Sequence, residues 1–308
     1  MEIGYGYRPP SLLFNKHLET IYPALFRKVD VGGFRRERIA TPDDDFLDLD
    51  LLEGGSDKVV IISHGLEGNS SRAYVRGMAK VFFNDGYDVI AWNYRGCGEE
   101  MNRRLRFYHS GATDDLDVVV KHASNKYKKI FLIGFSLGGN ITLKYLGEQQ
   151  RKIDGAAVFS VPLNLESSCA KISWPYADRF LRSLKKKVID KSKLMEGLDI
   201  ANIEKIATLK TFDDRYTAPL HGFKDAVHYY RSCSSLYFLK DIGVPTLIVN
   251  AKNDPFLAED CYPTHIDNKF IEFDYSEHGG HVGFAMFNQN GLYWSELRAL
   301  QFISAIEK

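Results

Sequence analysis

Cysteine is scarce here: four in 308 residues, at Cys97, Cys169, Cys233 and Cys261, widely scattered and with no C-x-x-C pair. That excludes a disulfide framework and a cysteine zinc site, and leaves ordinary reduced thiols. Excess charge is missing too, since 40 basic residues face 40 acidic ones. A neutral chain has no long-range pull toward nucleic acid or an anionic membrane, although net charge says nothing about local distribution. Long apolar runs are lacking. Val59-Val60-Ile61-Ile62 is strand length, far below the ~18 consecutive apolar residues of a membrane span. Residues 1–10 carry no basic stretch leading into an apolar core, so no secretory signal is expected there. The expectation is a soluble, cytoplasmic protein with no nucleic-acid partner and no transmembrane segment. Hydrophobic residues, at 44%, are too many for a disordered chain and enough for a core.

What is present is alternation. Residues 34–40 and 46–52 read as strands, and the Thr41-Pro42-Asp43-Asp44-Asp45 break between them predicts an antiparallel hairpin. After Gly54-Gly55, short apolar strands at 59–63, 88–93, 129–134, 155–161, 244–251 and 269–274 alternate with amphipathic helices. Those helices start near Ser70 or span 114–125 and 137–150. The pattern predicts an α/β fold: a mostly parallel central sheet with helices on both faces and its site at the strands' carboxyl ends. Residues 163–240 break the rhythm with helical texture and no buried strand. They are expected to form a helical lid insertion on a core made of 1–162 and 241–308. Within it, Lys185-Lys186-Lys187 reads as a solvated helix face. Trp174, Tyr176, Phe180 and Tyr216 either line an apolar pocket or hold the insertion to the core, and the packing reading is preferred.

The chemistry centres on Gly134-Phe135-Ser136-Leu137-Gly138, a G-x-S-x-G pentapeptide between the apolar strand Ile130-Phe131-Leu132-Ile133 and a helix-forming stretch. That setting is a nucleophile elbow, in which a strained turn lifts the serine hydroxyl out of the sheet and the helix beneath offers free N–H groups to an oxyanion. A serine needs a base to remove its proton, and after an elbow the acid and then the histidine follow on loops after late strands. Asp254 closes the strand at 244–251, with Asp260 and Glu259 as alternatives. His281 in Ser276-Glu277-His278-Gly279-Gly280-His281 is favoured over His278, because Gly279-Gly280 allows a flexible approach and the following residues can start a helix. A zinc site at His278 and His281 lacks supporting ligands. The N–H groups of Leu66 and Leu137 are the candidate oxyanion donors. His109 and Asp114 spell H-x-x-x-x-D, a spacing seen in acyltransferases, but Asp114 reads as a helix N-cap.

Longer segments carry a resemblance. Pro9-Pro10, Asn15-Lys16-His17-Leu18 with Thr20, His64-Gly65-Leu66-Glu67-Gly68, Asn93-Tyr94-Arg95-Gly96-Cys97 and Tyr108-His109-Ser110-Gly111 belong to it. So do Gly134 through Asn140, Phe212-Asp213-Asp214, His221-Gly222-Phe223, Asn253-Asp254-Pro255-Phe256 and Gly279 through Phe284. Nearly end to end, the chain resembles the YheT-like branch of the α/β-hydrolase superfamily, related to eukaryotic abhydrolase-domain esterases and lipases. The resemblance implies a triad of Ser136, Asp254 and His281, no cofactor, and hydrolysis of carboxylic esters, often lipid-like. The expected reaction is ester cleavage through an acyl-enzyme. Acyl transfer from the same intermediate, or a non-catalytic binding role, are the competing expectations.

Overall fold

The computed structural model describes residues 6–148 and 151–307. Residues 1–5 of the N-terminal stretch and residues 149–150 at the end of the expected helix lie outside it. Eight strands form one sheet: β1 (Arg35–Ala40), β2 (Phe46–Leu52), β3 (Lys58–Ser63), β4 (Asp88–Asn93), β5 (Lys129–Phe135), β6 (Gly155–Phe159), β7 (Thr246–Ala251) and β8 (Ile271–Ser276). Their order is β1-β2-β4-β3-β5-β6-β7-β8. The expected hairpin is there, β2 runs antiparallel to both neighbours, and all strands from β4 through β8 are parallel.

The helices are α1 (Lys16–Phe26), α2 (Ala73–Asn84), α3 (Thr113–Ser124), α4 (Leu137–Gly147), α5 (Leu165–Lys171), α6 (Tyr176–Ser192), α7 (Leu209–Phe212), α8 (Ala218–Leu220), α9 (Ala226–Cys233) and α10 (Trp294–Ile306). Alternate residues of each central strand feed opposite faces of the sheet. Val59 and Ile61 pack with Leu116, Val120 and Ile141 of α3 and α4, while Val60 and Ile62 pack with Met78, Phe82 and Ile303 of α2 and α10. Both faces are therefore covered, which is why β3 reads as an unbroken apolar run.

Some boundaries differ from expectation. β6 stops at Phe159 because Ser160 turns to φ 54°, a left-handed conformation that ends the pleat. Asp114 sits inside the first turn of α3 and pairs with Arg106, while Ala112 occupies the N-cap. No helix follows His281, because Val282 and Phe284 adopt φ 55° and 44°; the next helix is α10. Neither α1 nor α10 is among the expected helices. The capping box of α10 is built on Tyr293 in place of the usual Ser, Thr, Asp or Asn, and gives no start signal.

Between β6 and β7 lie α5 to α9 and a π-helical turn, Asp213–Thr217. The segment has an apolar cluster of its own, with Leu181, Val188, Ile206, Leu209 and Phe212 meeting Phe107 of the core. Its lysine run is only partly solvated. Lys187 turns inward and pairs with Glu67 at 2.6 Å, beside the Cys97 sulfur at 3.2 Å. On the side of the sheet near β1 and β2, buried Arg95 binds Asp43, Asp45 and Asp115, tying the hairpin turn to α3.

Candidate active site

Between β5 and α4 the chain turns at Ser136, with φ 53° and ψ −121°. For a residue with a Cβ this is a strained conformation, held only by its surroundings. The glycines of the pentapeptide explain themselves by contact. A Cβ on Gly138 would lie 2.4 Å from the Ser63 carbonyl oxygen, and one on Gly134 would lie 2.6 Å from the Gly139 Cα. The elbow is thus wedged against the end of β3.

Asp254 is buried at the end of β7. One carboxylate oxygen accepts the Phe256 N–H at 2.8 Å, and the other lies 2.8 Å from His281 Nδ1. His281 Nε2 is 2.9 Å from Ser136 Oγ. With Nδ1–H donated to the carboxylate, Nε2 is left as the acceptor for the serine hydroxyl. The Phe256 ring packs on the imidazole, 4.3 Å between centroids. The structure thus brings Ser136, Asp254 and His281 together in one hydrogen-bonded line. The alternatives stand elsewhere. Asp260 binds Asn164 and Ser167, Glu259 lies in the same short 3-10 turn, and the exposed His278 ring approaches Glu19 at 3.5 Å. Among the described residues no group of three or more His, Cys, Asp or Glu could hold a metal ion.

The His281 loop is held by residues that sequence reasoning missed. Its N–H donates to Thr20 Oγ1 at 2.9 Å, and the Gly279 N–H donates to Glu19. Asn253 accepts the Gly280 N–H at 3.0 Å and donates to the other Glu19 oxygen at 3.0 Å, while Ser160 Oγ accepts the Val282 N–H at 2.9 Å. The available signal is the Asn15-Lys16-His17-Leu18 and Thr20 segment of the resemblance. Asn15 caps α1 through its side chain and so fixes where Glu19 and Thr20 stand.

Leu66 follows β3 in a turn opposite the elbow, where a Cβ on Gly65 would lie 3.3 Å from the Ser136 Cβ. Neither the Leu66 nor the Leu137 N–H has a hydrogen-bond partner among the described residues. His64 shapes this turn. Its Nε2 accepts the Tyr94 N–H at 3.3 Å, so Nδ1 carries the proton and donates to the Gly65 carbonyl at 2.8 Å. Burial pulls the His64 pKa down to about 3, which keeps the ring neutral. Tyr74 OH accepts the Gly65 N–H, and Tyr108 OH accepts the Glu67 N–H, each at 2.9 Å.

Two cavities meet at Ser136, sharing Leu66, Phe180, Phe256 and His281. One, of about 850 Å³, runs beneath the helical segment between β6 and β7 and is mostly apolar, with Leu165, Ile172, Leu184, Leu209, Phe212 and Leu257 in its wall. The other is a larger cleft of about 1440 Å³ bordered by α1, Arg72 and Arg179. The aromatic residues of the insertion therefore divide. Phe180 lines both cavities, Tyr176 lines the cleft, Tyr216 is buried, and Trp174 is exposed. His109 faces the apolar cavity, and burial holds its pKa well below the ordinary value. Asp213 also borders it. Burial raises its carboxyl to about 6, against the opposing effect of hydrogen bonds from Thr217 and Tyr230.

Strand order, the strained elbow and the crossing helices define an α/β-hydrolase. Residues 54–261 match the family described as serine aminopeptidase, S33. YheT of Escherichia coli, provisionally named an esterase, is 32% identical over 286 residues, covering 88% of this chain and 84% of its own length. The phospholipase ABHD3 of Bos taurus is 28% identical, with 90% of this chain and 73% of the relative covered. The Pyrococcus furiosus esterase Pf2001 shares the fold, with a TM-score of 0.61 at 19% identity over 91% of this chain and 95% of that one. The chain belongs to the YheT-like branch of the α/β-hydrolases, related to the abhydrolase-domain proteins, and is a hydrolase of the esterase/lipase family. None of the helices among the described residues is long and apolar enough to cross a membrane.

Proposed function

We propose that this chain is a serine carboxylic ester hydrolase working through an acyl-enzyme on Ser136. The observation that carries the proposal is the hydrogen-bonded line Asp254–His281–Ser136, opening directly on an apolar cavity. His281 takes the Ser136 proton as Oγ attacks the ester carbonyl, and Asp254 keeps the imidazole in the tautomer with its proton on Nδ1. The Leu66 and Leu137 N–H groups stabilise the oxyanion. His281 then protonates the leaving alcohol and, in the second half, activates the water that releases the acid. No step calls on a cofactor.

The apolar cavity suits an acyl chain, and the open cleft suits the alcohol, which must leave and be replaced by water. Residues 163–240 act in this reading as a lid, and residues 1–162 with 241–308 as the core. A cytoplasmic location belongs to the same proposal. The matched family is described by a peptidase activity, but an apolar cavity at Ser136 fits an acyl group better than a charged peptide terminus.

A series of p-nitrophenyl esters tests the reading. From acetate to octanoate kcat/KM should rise, bounded by about fourfold per methylene from burial of ~0.8 kcal/mol each. A flat or falling profile, or faster turnover of amino-acid p-nitroanilides, contradicts it.

A further inference from the structure

Helix α1 is folded inside out. Its buried positions are Glu19, Thr20 and Pro23, whereas Ile21, Tyr22, Leu25 and Phe26 face outward. An amphipathic helix on a water-soluble protein normally does the reverse. The buried polar residues are employed, since Glu19 and Thr20 hold the His281 loop. The apolar face has little to cover it. Phe26 is 65% exposed and Leu25 57%, and the segment leading into the helix adds Leu12 at 71% and Phe14 at 79%. Phe287, half exposed, extends the surface by packing on Tyr22, 5.6 Å between centroids. Isolated exposed apolar residues need no explanation, but here Tyr22 joins Phe26 and Phe287 in one group, and a contiguous group of large apolar residues marks a contact surface.

We propose that this face docks on a lipid surface bearing anionic headgroups. Two observations select that occupant. The patch is continuous with the mouth of the cleft, because Ile21, Pro23 and Ala24 of the same helix line it together with Ser136 and His281. A bilayer against the patch therefore places the cleft mouth at the lipid boundary, whereas a folded partner seated there would stand across it. The surroundings are also basic. Lys16 and Lys28 bracket the helix, Arg72 and Arg179 edge the cleft, and none of the four has a carboxylate partner among the described residues. Unpaired cations beside an apolar helix face are the composition of an interfacial helix, with apolar side chains below the headgroups and ammonium groups among them. A symmetric contact with a second copy would instead bring these like charges together. Delivery of substrate from lipid rests on the hydrolase reading; the docking itself does not.

The test compares the full chain with its Leu25→Gln/Phe26→Gln variant in cosedimentation with phosphatidylcholine vesicles, plain or containing about a third phosphatidylglycerol. The wild type should bind the anionic vesicles, less so as salt is raised, and the variant should bind at least ~10-fold more weakly. Hydrolysis of soluble p-nitrophenyl butyrate should stay within about twofold, since neither residue lines the cleft. Phe14→Gln, which lies outside the helix and leaves its Asn15 cap in place, should weaken vesicle binding in the same direction. Absence of wild-type binding, or binding by both variants as tight as that of the wild type, overturns the proposal. So does a wild-type dimer that the double variant dissolves without any vesicle binding. If the wild type binds vesicles yet hydrolyses no ester, docking stands and the hydrolase reading falls.

Discussion

Asp254 has its two carboxylate oxygens divided between two tasks. One is fixed by the Phe256 N–H and the other faces His281 Nδ1. An amide in its place keeps the shape, but its NH₂ group, turned to the ring, favours a proton on Nε2, where the serine hydroxyl needs an acceptor. Asp254→Asn should therefore lower kcat on p-nitrophenyl esters by ~10³–10⁴-fold while leaving the fold intact. Steady-state kinetics with circular dichroism check this, and a kcat within tenfold of wild type rules out the role given to Asp254. Ser136 was legible in the sequence because its flanking glycines are forced by contact, at Ser63 and at Gly139, and forced contacts leave a fixed spacing. Asp254 was separable from Asp260 only by its place at a strand end. The inward turn of Lys187 was not legible, since three lysines in a row look alike until Glu67 is brought opposite one of them.

Helices show most clearly where sequence reading stops. β3, β4 and β5 are read correctly because two-sided burial makes them apolar runs, and α2 to α4 because one side of each faces the sheet. α1 escapes because Ile21, Tyr22, Leu25 and Phe26 face away from the core, so its pattern points the wrong way. Its consequence is local to the site. Thr20 donates to the Lys16 carbonyl at 2.7 Å and accepts the His281 N–H at 2.9 Å, joining the helix to the His281 loop. Thr20→Val keeps the volume but removes that acceptor, which should cost about 1 kcal/mol of stability and lower kcat about tenfold at nearly constant KM. Thr20→Ser, which restores the hydroxyl, should recover kcat. If thermal melting and ester kinetics show a loss of stability with kcat unchanged, the helix is only structural.

At the scale of the whole molecule, three distant stretches of chain converge above the carboxyl ends of β5, β7 and β8. The parallel order of these strands makes that convergence possible, because it puts the elbow, the acid loop and the histidine loop on one edge of the sheet. The helices between β6 and β7 and α1 then enclose the same point from two sides, one with an apolar cavity and the other with an open cleft. The alternation of strands and helices announced the sheet, but not how the insertion packs, because its cluster depends on Phe107 from outside it. Fluorophosphonate labelling of the wild type beside Ser136→Ala, read by intact mass and peptide mapping, addresses the nucleophile most directly. The wild type should take up one label, on the peptide holding Ser136. The variant should take up none and lose ester turnover by more than ~10³-fold with its melting transition preserved. A label on the Ser136→Ala protein, or turnover that persists in it, would contradict Ser136 as the nucleophile.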